Sequence, residues 1–262
     1  MARHSHWHNI QLSKGKADAK RAGVFAKLTK NIVVAAREGG GDPSYNFKLR
    51  MAVDAARAVS MPKDNIERAI ARAVGGEGSA LQETIYEGFA PGGVAIIIRC
   101  LTDNPTRTVA EVKTIASKNG GSIGAPGSVM WMFERKGVVH VADLSGVKDR
   151  DALELALIDA GASDIQPEVT PLSATGDGGI PRPAGRGNPE GGAGLKIICD
   201  PADLKKLTEA VEVQGLKADM SGFEYVAKTT MLPPAEDTER IAAFVERLED
   251  NDDVDAVFTN EA

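Results

Sequence analysis

Between residues 17 and 38 apolar side chains fall at Val24, Phe25, Leu28, Ile32 and Ala35 or Ala36, with Lys20, Lys27 and Lys30 mostly off that stripe. Spacing of three and four residues is that of a helix with one buried face. Gly39 to Gly41 suit a C-cap and turn, and Asp42 followed by Pro43 reads as the opening of a second helix over 44–59, through Leu49, Val53 and Ala56. Met61-Pro62-Lys63-Asp64 starts a third, with Ile66, Ala69, Ile70 and Ala73 inward, and Gly75-Gly76 ends it. Three amphipathic helices with short connections predict a small bundle with a basic surface.

Beyond Gly78 the period shortens. VAIIIRCL (94–101), SVMWMFER (128–135), GVVHVA (137–142), DIQPEV (164–169), GLKIICD (194–200), GFEYVAKTTM (222–231) and VDAVFTN (254–260) read as strands. Helical patterns occupy 106–121, 151–162, 201–215 and 238–252. The stretch from 137 to about 227 reads β-α-β, β-α-β by itself, a ferredoxin-like split fold. Removing it leaves β-α-β before and roughly β-α-β after, if the long run GFEYVAKTTML lends its second half to the outer domain. The predicted fold class is therefore α+β: an N-terminal three-helix bundle followed by two ferredoxin-like α/β domains, the third inserted into the second. The expected boundaries are 1–80, then 81–135 plus 229–262, with 136–228 inserted. Residues 171–194 are dense in Gly and Pro without an apolar period, which predicts a long flexible loop.

A composition of 42% hydrophobic and 26% charged residues is that of a soluble globular chain. The longest apolar run, Val94 to Ile98, is strand-sized, so no membrane partner is expected. The polar, basic start lacks the apolar core of a secretion signal, and Cys100 and Cys199 read as buried reduced thiols, so the expected location is cytoplasmic. The formal charge of −6 hides an asymmetry: residues 1–80 hold 14 Lys+Arg against 7 Asp+Glu, a net +7, and the remainder carries −13. A basic module on an acidic body points to a polyanion gripped by one end.

Catalytic signatures are missing from the sequence: there is no G-x-S-x-G, H-E-x-x-H, phosphate-loop or dinucleotide fingerprint. Gly-rich 86–94 and 119–127 lack the Gly-Lys-Ser/Thr ending and read as turns, and His140 reads as structural. No enzymatic activity, cofactor, resident metal or small-molecule substrate is expected. Ala2-Arg3-His4 could make a square-planar Cu(II) or Ni(II) site if Met1 is removed, a feature of any terminus with this spacing. Nucleic acid has the better signal. Arg3, Lys14, Lys16, Lys20, Arg21, Lys27 and Lys30 oppose only Asp18 in the first thirty residues, a net +6 with His4, His6 and His8 beside it. Such charges give sequence-independent affinity for phosphates. Trp7 either stacks on a base or anchors the arm to its own bundle.

HSHWHNI near the start, the GGGDP turn, MPKDNIERAI, YEGFAPGGVAIII, LTDNPTRTVAEVK and GSVMWMFERKGVV resemble the YebC/PmpR family, relatives of the mitochondrial translational activators of cytochrome oxidase. The resemblance runs nearly end to end and implies an N-terminal helical domain and two α/β domains. It implies a regulator of gene expression: a ribosome-associated translation factor that contacts ribosomal RNA and helps elongation past stalling sequences, or a DNA-binding transcriptional regulator on duplex DNA. Arg3 and His6 stand where the family usually has Gly and Lys, and Pro105 interrupts a commonly basic stretch, leaving Arg107 alone. Residues His4, His6, Trp7, Lys14, Lys16, Lys20, Arg21, Lys27, Lys30 and Arg107 form the expected interface, Arg107 acting at a helix N-terminus. Helix three offers only Arg68 and Arg72 outward, which favours the RNA partner over major-groove reading.

Overall fold

The computed structural model describes residues 18–76, 80–147, 149–169 and 193–262, with side chains for all of these but 18–21, 169 and 193. The bundle consists of α1 (Asp18–Gly39), α2 (Phe47–Ala58) and α3 (Lys63–Val74). After it the chain runs β1 (Gln82–Phe89), β2 (Ala95–Thr102), α4 (Pro105–Lys118), β3 (Ser122–Ile123), β4 (Phe133–Val141) and α5 (Arg150–Asp159). It continues through β5 (Ala162–Val169), β6 (Ala193–Cys199), α6 (Leu204–Val213), β7 (Met220–Ala227), α7 (Ala235–Glu249) and β8 (Val254–Thr259).

The bundle closes on the predicted stripes, with Leu28, Ile32, Leu49, Val53, Ile66 and Ala69 in one buried cluster. The start of α2 differs from the sequence expectation. Asp42 shapes the turn, its carboxylate accepting from the Ser44 amide at 2.9 Å, while Asn46 caps the helix by accepting from the Leu49 amide at 3.0 Å. The buried Asn46 amide also donates to the Ala35 and Gly40 carbonyls, so one side chain ends α1 and begins α2.

The strands form two antiparallel sheets, in the orders β3-β1-β2-β8 and β5-β6-β4-β7. The second has the β-α-β-β-α-β chain order and the spatial arrangement of a split β-α-β unit. The first departs from the predicted β-α-β pattern. Its opening strand is β1, which pairs with β2 across Pro91–Gly93, where turns alone were expected. Residues 130–132 are a short 3-10 turn rather than part of a strand, and β4 runs unbroken from Phe133 into the second sheet. Lys228 to Thr230 lie outside the sheets, and Met231 makes an isolated bridge to Glu261.

Strand β2 is buried on both faces, which explains its continuous apolar run. Ile96, Ile98 and Cys100 pack under α4 and α7 against Val112, Ala116, Ile241 and Phe244. Ala95 and Ile97 face the opposite way, onto Phe133, Val129 and Phe258, where the two sheets meet. The helical side of the second sheet holds Val139, Ile197, Leu204 and Leu207, and Met51 from α2 joins that core. No helix among the described residues is long and apolar enough to cross a membrane.

Candidate nucleic-acid interface

The basic face of α1 meets the run Leu248-Glu249-Asp250-Asn251-Asp252-Asp253-Val254-Asp255. Lys27 donates to the Glu249 carbonyl. Burial lowers its ammonium's pKa despite the surrounding Glu249, Asp255, Asp250 and Asp252. Lys30 donates to the Leu101 carbonyl at 3.2 Å, the Asp252 carbonyl at 2.8 Å and Asp253 Oδ1 at 2.8 Å. Asn31 reaches Asp255 Oδ1 at 2.6 Å, and Arg99 pairs with Asp255 Oδ2 at 2.6 Å while donating to the Phe223 carbonyl at 3.0 Å. The bundle, the first sheet and the second sheet are tied together through these groups.

Arg107 joins the same network. Its guanidinium lies 2.6 Å from Asp253 Oδ2, 3.3 Å from Asp103 and 3.9 Å from Glu111. The N-terminus of α4 is closed by Asn104, whose side chain accepts from the Arg107 amide at 3.1 Å. Thr102 and Thr108 add hydroxyl donors to Asp253. Burial would raise the Asp253 carboxyl, but Arg107, Lys30 and Thr108 outweigh it and bring its pKa to about 2. Around this cluster opens a cleft of about 460 Å³ lined by Ala26, Leu81, Lys30, Arg107, Glu111 and Asp253.

Of the residues expected to face a polyanion, Lys27 and Lys30 turn their ammonium groups onto the acidic run or its neighbours, while Arg107, with its side chain 47% exposed, pairs with Asp253, Asp103 and Glu111 at the surface. His4, His6, Trp7, Lys14, Lys16 and the side chains of Lys20 and Arg21 lie outside the described residues, as do the copper-type site at Ala2-Arg3-His4 and residues 171–192 of the loop. Basic side chains that face outward include Lys63, Arg68 and Arg72 on α3, Lys113 and Lys118 on α4, and Arg135 and Lys228 at the end of the β4–β7 pair.

His140 is buried between two carboxylates, with Nδ1 2.7 Å from Glu168 and Nε2 3.1 Å from Glu224, and Lys196 completes the group 2.7 Å from Glu224. Burial opposes the imidazolium, yet the two carboxylates raise its pKa. The group stitches β4, β5, β6 and β7 across one sheet face. Both cysteines are buried free thiols, pushed by burial up to about 12 at Cys100 and about 11 at Cys199.

Sequence reasoning passed over one surface. The buried carboxylate of Glu87 accepts from the amides of Gly127 at 2.6 Å, Val129 at 2.9 Å and Met130 at 2.7 Å. Burial alone would raise its pKa, but these three donors hold it below the ordinary carboxylate value. Gly127 sits at φ 86°, a conformation that glycine adopts without strain. The loop so fixed presents Trp131, 69% exposed, with its indole Nε1 donating to the Ser128 carbonyl at 3.1 Å. The available signal was a tryptophan in a segment, 120–133, without one charged residue.

Two family models cover the chain: the TACO1/YebC protein N-terminal domain matches residues 5–76, and the TACO1/YebC second and third domain matches residues 81–261. The chain belongs to the TACO1/YebC family. It is 41% identical over 261 residues to a probable transcriptional regulatory protein of Caldanaerobacter subterraneus subsp. tengcongensis, covering 99% of this chain and 98% of the relative. It is 42% identical over 263 residues to a probable transcriptional regulatory protein of Chloroflexus aurantiacus, covering 99% and 95%. The crystal structure of a conserved hypothetical protein, Aq1575, from Aquifex aeolicus superposes with a TM-score of 0.78 at 34% identity, covering 94% of this chain and 92% of that one.

Proposed function

We propose that this TACO1/YebC protein is a non-enzymatic, nucleic-acid-binding regulator of gene expression that acts in the cytoplasm on RNA. Its favoured partner is the ribosome, contacted through ribosomal RNA to help elongation past stalling sequences. His4, His6, Trp7, Lys14, Lys16, Lys20 and Arg21 are the proposed contacts. The observation that carries this reading is the division of positive charge. Lys27 and Lys30 are engaged by the acidic run, Lys27 at the Glu249 carbonyl and Lys30 in an ion pair with Asp253. The excess that remains in the first thirty residues belongs to Arg3, Lys14, Lys16, Lys20 and Arg21, opposed by Asp18 alone. The three helices offer little for reading a duplex. α1 sits on the acidic run, Phe47 and Met51 of α2 pack into the second sheet's core, and exposed α3 mixes Lys63, Arg68 and Arg72 with Asp64 and Glu67.

The second reading, a DNA-binding transcriptional regulator, is favoured by the relatives, which are named probable transcriptional regulatory proteins. Co-sedimentation with ribosomes in the presence of duplex DNA separates the two, with Lys14, Lys16, Lys20 and Arg21 changed to Ala in parallel. The RNA reading expects the unaltered chain to pellet despite the DNA and the variant to stay in the supernatant. Release by DNA would instead favour transcription.

A further inference from the structure

We propose that Trp131 is a stacking platform for an unpaired base of single-stranded RNA, a role that rests on the RNA reading above and adds a second contact far along the chain from the N-terminal arm. An exposed tryptophan on an ordered loop contributes little to the core, because a large apolar ring stabilises a fold by leaving water. Here the neighbouring side chains do the anchoring: Val129 and Phe133 are buried between the sheets, with Met130 and Met132 packed beside them. Three amides held by Glu87 fix the backbone that leads into Trp131. The ring is thus presented outward by a pre-ordered loop, which reduces the entropy lost when a ligand binds.

Chemistry selects the occupant. The indole N–H is already spent on Ser128, so the ring offers its faces rather than a donor. The segment from Gly120 to Phe133 has no carboxylate of its own, and the Glu87 carboxylate beneath it is buried and occupied by three amides. One cationic residue is held beside the loop: the Lys228 amide donates to the Met132 carbonyl at 2.9 Å and its side chain is exposed, while exposed Arg135 lies further along β4 over the Phe223 ring at 4.6 Å. Glu134, the carboxylate between them, lies 3.6 Å from Lys136. Flat apolar surface with a lysine at its margin matches a base and its phosphate. Only an unpaired base has a face to give, since a duplex keeps its bases stacked on one another.

The chain has two tryptophans, Trp7 and Trp131, so Trp7→Phe leaves Trp131 as the sole indole reporter. Indole emission of that variant is followed during titration with uridine-rich and adenosine-rich single strands, beside the anisotropy of the same strands carrying a dye. Trp131→Ala and Trp131→Phe are compared by anisotropy in the otherwise unaltered chain, with thermal unfolding as the check on folding. The expected result is quenching with the same midpoint as the anisotropy change, with Trp131→Ala binding about 5- to 100-fold more weakly and Trp131→Phe close to the unaltered chain. Strands that bind without quenching, to a Trp131→Ala variant of unchanged affinity, would overturn the platform and leave the RNA reading standing. Quenching by an apolar peptide and not by RNA would assign the surface to a polypeptide and also overturn it. An unaltered chain that binds no strand at all would sink both.

Discussion

The carboxylate of Asp253 accepts from Lys30, Thr102, Arg107 and Thr108 and is 5% exposed. Its pKa is lowered from the ordinary 3.8 to about 2, a depression equivalent to about 2 kcal/mol of stability. Because the folded value lies below the ordinary one, that contribution is complete above about pH 4 and fades as the pH falls toward 2. Asp253→Asn removes the charge while keeping the shape, and leaves Lys30 and Arg107 facing a neutral amide. We expect urea unfolding at pH 7 to show a loss of about 2–4 kcal/mol, shrinking steadily as both proteins are acidified. An equal loss at pH 7 and near pH 2 would mean that the charge of Asp253 is not what holds the cluster. Little of this was visible beforehand. Lys27 and Lys30 look like ordinary off-stripe helix charges, and their partners in the acidic run lie more than 220 residues away.

At the scale of elements, legibility followed the strength of the local period. α1, α3, β2, α4, α7 and β8 stand close to their predicted places, because each carries a long stripe or an unbroken apolar run. β1 escaped notice because Gln82–Phe89 buries Glu87 and Gly88 near its end, where an alternating strand would place an apolar residue. β4 was divided at Arg135-Lys136-Gly137, yet Gly137 is no break: a Cβ there would meet Cys199 and Leu204 at under 3 Å, so the strand continues where the two elements pack closest. Glu87 shows what a missed strand can hide. Replacing it with Gln leaves one side-chain oxygen for three amides and turns an NH2 toward the donors. The expected cost is about 1–3 kcal/mol, with faster hydrogen exchange over 124–131 and little change in α3. Unchanged exchange in that segment would show that the loop is ordered by something other than Glu87.

Across the whole molecule, the charge asymmetry read from the sequence divides into two uses. One part is internal. The acidic run at 249–255 and the inward face of α1 neutralise each other, and Phe47 and Met51 carry α2 onto the second sheet, so the bundle is braced to both sheets. The other part is the excess on Arg3, Lys14, Lys16, Lys20 and Arg21, which belongs to the proposed grip on RNA. Sequence counting saw the total and could not separate the shares, since the pairing is set by tertiary contacts. The measurement that tests this division most directly is the salt dependence of single-stranded RNA binding. It compares the unaltered chain, a variant with Lys14, Lys16, Lys20 and Arg21 changed to Ala, and Lys30→Ala. The account predicts that the fourfold variant binds more weakly and that its log–log slope falls by about 3, from about 0.7 per lost phosphate contact. Lys30→Ala should lower the unfolding temperature and keep the slope. A fourfold variant with the slope of the unaltered chain, or a Lys30→Ala chain that loses it, would contradict the account.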